Sequence, residues 1–199
     1  MTQSLLLALV AFALVSSITP GPNNLMLMAS GTNFGLRRTV PHMLGVAIGF
    51  TLMIVLVGAG LVTLIGLIPG ALTAIKWASI AYLLYLAWKI ATAAPKPLTG
   101  KTTAKPMTFL QAAAFQWINP KAWTMALTAV SAYIPADNPR IGLLIVAFVF
   151  GAVNLPSVGL WAAMGVSLRG FLADPRRLRV FNVVAALTLV ATLYPVVMH

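Results

Sequence analysis

Glutamate and cysteine are both absent from this chain of 199 residues, and aspartate occurs only as Asp137 and Asp174. Without thiols there is no disulfide scaffold, thiol redox relay or thiolate metal site. Neither acid falls inside an apolar run, so a buried positive charge finds no carboxylate partner within a span. Histidine is nearly as scarce: His42 and His199 are the only two. A membrane enzyme is disfavoured, because there is no Gly-x-Ser-x-Gly elbow and no internal histidine beyond His42 to serve a nucleophile.

What the chain does contain is hydrocarbon. Hydrophobic residues make up 60% of it and charged residues 8%, well outside the globular range and inside that of multispanning membrane proteins. The formal charge of +11 does not point to nucleic acid, because the basic residues sit between apolar runs rather than on one solvated face. The first run has no positive segment before it and no convincing small-x-small cleavage site, so it reads as a retained span. No solenoid period or low-complexity tract appears.

Six apolar segments follow one another, at about 5–34, 43–68, 72–93, 109–134, 141–168 and 180–197, and a straight span needs about 20 residues, so six spans fit. The expected fold is an all-α integral membrane protein with six transmembrane helices in one domain, 1–199. A polar linker at 95–107, carrying Lys96, Lys101 and Lys105, separates repeat one, 1–94, from repeat two, 108–199. Three spans per half is an odd number, so the halves enter the membrane with opposite orientation, as inverted repeats do.

With Lys89 and Lys76, near the two ends of segment three, counted with the loops they adjoin, ten lysines and arginines go with the loops after segments one, three and five, and two with the loops after segments two and four. That bias puts the first set in the cytoplasm and both termini in the periplasm. A reporter active only in the periplasm should therefore work when fused after His199 and stay silent when fused near Lys101; the reverse pair of results would invert the topology.

Segments one and four are longer than a span needs, and each is interrupted. Thr19, Pro20, Gly21, Pro22, Asn23 and Asn24 break the first; Asn119, Pro120 and Lys121 break the fourth. Irregular backbone survives at membrane depth only where it is buried in protein or lines a cavity, and matched breaks in two halves point to a binding site. Thr19 is expected to cap a half-helix whose first turn is Pro20 to Pro22, and Asn119 one beginning at Pro120. Such half-helix starts favour a carboxylate. The ammonium of a zwitterion would use unwound carbonyls at Ser17 to Pro20 and the amides of Asn23, Asn24, Gln116 or Asn154, the last two residues before Pro156.

Lys121 is the one basic residue placed near the middle of a span, so it is read as binding substrate carboxylate and coupling transport to protons. A lysine snorkelling to the interface is its plainer alternative. His42, at the expected cytoplasmic mouth of span two, is read as a solvated histidine, with proton coupling as the alternative. Gly31/Gly35 and Gly45/Gly49 have small-xxx-small spacing, read as internal packing with a homodimer interface as the alternative. Trp77, Trp88 and Tyr194 fit interfacial belts.

The segment from Thr19 to Asn24 resembles the first-span signature of the lysine exporter and homoserine/threonine-resistance superfamily, LysE/RhtB, and Asn119-Pro120-Lys121 resembles its fourth-span motif. The stretch Ala81-Tyr82-Leu83-Leu84-Tyr85-Leu86-Ala87-Trp88-Lys89-Ile90-Ala91-Thr92 is similar to the end of span three in the cysteine/O-acetylserine exporter branch. The resemblance covers nearly the whole chain. It implies efflux of amino acids or close derivatives across a bacterial inner membrane, driven by the proton gradient; from composition the lipid bilayer is the expected environment, and no cofactor or metal is expected. Asn23 stands where some relatives carry an acid, which argues against a cationic substrate. A channel, or a structural subunit without transport, is the alternative class.

Overall fold

The computed structural model describes residues 1–92 and 105–194. Most of the 95–107 linker lies outside them, with Lys96 and Lys101, as do His199 and the end of the sixth apolar segment. The described residues form nine α-helices and two short 3-10 turns: α1 (Gln3–Ile18), α2 (Pro22–Phe34), α3 (Leu36–Gly58), α4 (Leu61–Gly66), α5 (Ala71–Ala91), α6 (Phe109–Phe115), α7 (Pro120–Tyr133), α8 (Pro139–Ser167) and α9 (Pro175–Ala191).

Among the described residues, helices α3, α5 and α8 are each long and apolar enough to cross a membrane, and α1 with α2, bent by 54° at the first break, reaches that length and hydropathy as a pair, the shape of a broken span or a re-entrant loop. The expected fourth and sixth spans correspond to α6 and α7, of 7 and 14 residues around a 3-10 turn at Gln116–Ile118, and to the 17-residue α9. Each is shorter than the ~20 residues of a straight span. The second segment also ends earlier than its apolar run suggests. Gly60, at φ 98°, turns the chain after α3, and the residues to Gly66 become the separate α4.

Helix α8 is the centre, packing on α1, α2 and α3, while α5 and α9 form a pair at the flank. Small residues permit its closest crossing. A Cβ on Gly31 would strike the Ala162 carbonyl of α8, and one on Gly165 would strike the Met28 carbonyl of α2. Gly45 and Gly49 face Phe109, Ala112 and Ala113 in the same manner, bringing α3 onto α6. Their small-residue spacing is thus taken up within the chain. Gly35 differs: at φ 79° it makes the corner between α2 and α3 with open space around it.

Side-chain hydrogen bonds reinforce these crossings. The Thr32 hydroxyl donates to Gly165 O at 2.8 Å, and the Ser30 and Thr39 hydroxyls meet at 2.9 Å across the corner. Trp77, Trp88 and Tyr194 are exposed, as belt residues must be. Asp174 caps α9, accepting from the Arg177 and Arg176 amides at 3.0 and 2.8 Å, and these bonds hold its carboxyl below the usual range.

Candidate functional site

Helix α1 stops at Ile18, and Thr19 is its C-cap, with extended backbone. The cap expected from Thr19 does not form. Its hydroxyl donates backward to Val15 O, and α2 starts later, with Pro22 as its first residue and Gly21 as an N-cap that has no side-chain hydrogen bond. Proline at 20 and 22 explains the delay. Each fixes φ and removes an amide, so helical bonding cannot run through the segment. At the second break the expectation matches the structure: Asn119 caps α7, its Oδ1 accepting from the Lys121 amide at 3.2 Å.

Carbonyls running past the end of α1 need donors from elsewhere. Asn24, buried, donates through Nδ2 to Ser17 O at 2.8 Å and Thr19 O at 2.9 Å. Trp161 of α8 donates to Ile18 O at 3.1 Å. Lys121 reaches across from α7 and places Nζ 2.5 Å from Thr19 O and 3.5 Å from Pro20 O. The two breaks are therefore tied together by an ammonium at the C-terminal end of α1, the end whose dipole favours cations.

A second tie lies beside the first. Asn23 Nδ2 donates to Gln116 Oε1 at 2.8 Å, and Gln116 Nε2 donates to Asn23 Oδ1 at 3.2 Å and to Ala112 O at 2.8 Å. Gln116 is fully buried, so losing its partner strands polar atoms in the core. Asn23→Ala and Gln116→Ala should each lower stability by about 1–3 kcal/mol, with a double variant well short of additive. Thermal unfolding of the purified protein measures this, and additive losses would mean the amides act separately.

Between the ties lies a cavity of about 20 Å³, lined on its polar side by Ser16, Ser17, Asn23, Asn24, Lys121 and Asn154. Gly21, Asn119 and Phe50 also reach it. That volume holds about one water molecule and no amino acid. Asn154 is buried in α8; its Nδ2 donates to Ser17 Oγ at 3.3 Å, while its Oδ1 has no partner among the described residues.

Of the residues expected at the site, Gly21, Asn23, Asn24, Asn119, Lys121 and Asn154 line this cavity. Pro22 and Pro120 are buried as the first residues of their helices, Thr19 and Pro20 are exposed beside the cavity, and Gln116 is engaged by Asn23. His42 departs from expectation. It is buried inside α3 at 2% exposure, with neither ring nitrogen hydrogen-bonded among the described residues, because the helix begins at Leu36 and carries position 42 inward instead of leaving it at a mouth. Phe50, Met125 and Val158 line the cavity without having been singled out, and Trp161 was missed as a donor; each sits in an apolar helix with no local signal to mark it.

Apolar helices, a bent apolar helix pair at the first break and a polar cavity where two proline breaks meet define an integral membrane protein of the transporter class. Residues 14–192 match the family described as LysE type translocator, and the chain belongs to that family. It is 33% identical to the cysteine/O-acetylserine efflux protein of Escherichia coli K12 over 193 residues, 96% of each chain. The protein of that name from Klebsiella pneumoniae is 31% identical over 166 residues, 83% of this chain and 84% of its own. No solved structure matches the chain.

Proposed function

We propose that this protein exports small neutral amino acids or close derivatives, of the cysteine and O-acetylserine type, across the bacterial inner membrane as a proton-coupled secondary carrier. The observation carrying the proposal is the cavity between the two breaks, rich in amides and hydroxyls and lined, among the described residues, by one lysine and no carboxylate. Both aspartates are exposed in loops between helices, so a second positive charge on a substrate would meet no counter-charge in the spans. The relatives named for cysteine and O-acetylserine efflux support the substrate class.

In this reading the chain crosses the membrane six times as two inverted halves, 1–94 and 108–199, with both termini periplasmic. The helix starts at Gly21 to Asn24 and Asn119 to Lys121 face the substrate, Asn154 completes the polar wall, and Thr19, Pro20, Pro22, Pro120 and Gln116 hold that arrangement. Lys121 couples substrate to proton, and His42 is a second candidate for that role. Counterflow in proteoliposomes tests the function. Neutral and sulfur-containing amino acids should exchange and compete with one another, whereas lysine and arginine should not. Preferential exchange of cations would overturn the substrate class, and absence of saturable exchange would favour a channel or a structural subunit.

A further inference from the structure

The three donors on the carbonyls of the first break are not equivalent. Asn24 is buried, and Trp161 is half-buried among the side chains packed on the helix core. Their bonds belong to the packing. Lys121 is tethered by four methylenes, and its stem passes directly over Gly21, where a Cβ would lie 2.7 Å from Lys121 Cδ and 3.2 Å from Nζ. Glycine at 21 therefore leaves the path that lets an ammonium lie on the Thr19 and Pro20 carbonyls.

We propose that this carbonyl pair is the subsite for the ammonium group of a zwitterionic substrate, and that the Lys121 ammonium occupies it in the unloaded carrier as a tethered competitor. The inference rests on reading the chain as an amino-acid carrier. An ammonium offers three donors and no acceptor, and two convergent carbonyls suit it without a carboxylate. The contacts of Nζ with Thr19 O and Pro20 O are that recognition, made by the protein on itself.

Exchange follows from charge. A substrate ammonium that takes the carbonyls releases Lys121, and the substrate's carboxylate then supplies the counter-charge that the spans lack. A zwitterion satisfies both partners. An amine without a carboxylate would strand the displaced Lys121, and an acid without an amine would leave the carbonyls with no replacement for it. Lys121 lines a cavity too small for an amino acid, so displacing its stem would enlarge that cavity. The tether thus selects two-headed ligands and links loading to a rearrangement between the two breaks.

The test is chemical rescue. Purified Lys121→Met, reconstituted in nanodiscs, is titrated with ethylammonium chloride against sodium chloride at equal ionic strength while thermal unfolding is followed. A saturable rise of several degrees is expected in the variant and little or none in the parent, whose own ammonium fills the subsite. Equal shifts in both, or none in the variant, would overturn the subsite. Lys121→Gln, with a polar end of similar length, replaces Lys121→Met if that variant does not accumulate.

Cysteine counterflow by the parent runs alongside, with cysteamine and 3-mercaptopropionate as single-headed competitors. Each should compete roughly tenfold or more weakly than cysteine, the loss of one charge-assisted contact. Competition by either as strong as that of cysteine would refute the two-headed requirement. Rescue without cysteine counterflow would uphold the ammonium subsite and reject cysteine as the carrier's substrate, and counterflow without rescue would do the opposite.

Discussion

Lys121→Gln is expected to abolish accumulation of substrate against a gradient while leaving measurable downhill exchange. Among the described residues the ammonium is the only charged group lining the cavity, and it bridges the two breaks, from the first turn of α7 to the carbonyls at the end of α1. Glutamine can still donate to a carbonyl, so the fold and some binding survive. It can neither carry a proton through the cycle nor pair with a carboxylate as an ion. Lys121→Arg should fail as well, for a different reason: guanidinium stays protonated throughout the cycle and cannot exchange the proton. Proton-driven flux in proteoliposomes with an imposed pH gradient distinguishes these outcomes. Uphill transport by Lys121→Gln at the parent's rate would remove Lys121 from the coupling mechanism and leave His42 as the candidate.

The second large effect is expected from Gly31→Ala and Gly165→Ala, neither of which touches the cavity. At both positions the added methyl would meet a backbone carbonyl of the facing helix, Ala162 O and Met28 O respectively, and backbone cannot swing aside as a side chain does. Either substitution must push α2 from α8, breaking the bond from Thr32 to Gly165 O on the way. Overpacking typically costs about 1–3 kcal/mol, and a clash with main chain belongs at or above the top of that range. The double variant should fall well short of additive, because one displacement relieves both clashes. Thermal unfolding in detergent and the amount of protein retained in the membrane measure the loss. Gly35→Ala is the control, since strain from its positive φ replaces any clash there. Unchanged stability in Gly31→Ala would mean that the α2 and α8 crossing is loose.

The membrane class, the helical fold and the positions of both breaks were legible in the chain because they depend on local quantities: apolar run length, proline without an amide, and the scarcity of acids. Asn119 could be read as a cap because an N-cap acts on an amide two residues away. Thr19 could not. Whether an exposed threonine caps the next helix or closes the previous one depends on where the chain regains helical φ and ψ, and two prolines moved that point to Pro22. His42 was misplaced for a related reason, since its burial follows from α3 beginning before the apolar run does.

Most of all, the partners of the breaks were hidden. Asn23 and Gln116 are 93 residues apart and Lys121 and Thr19 are 102 apart, so no local pattern could show that the amides close on each other or that the lysine answers a carbonyl. By itself the sequence determined which groups would need partners within the membrane. Only the tertiary structure decided who those partners are, because a buried polar group must be satisfied and the packing of α2, α7 and α8 sets which donor comes within reach.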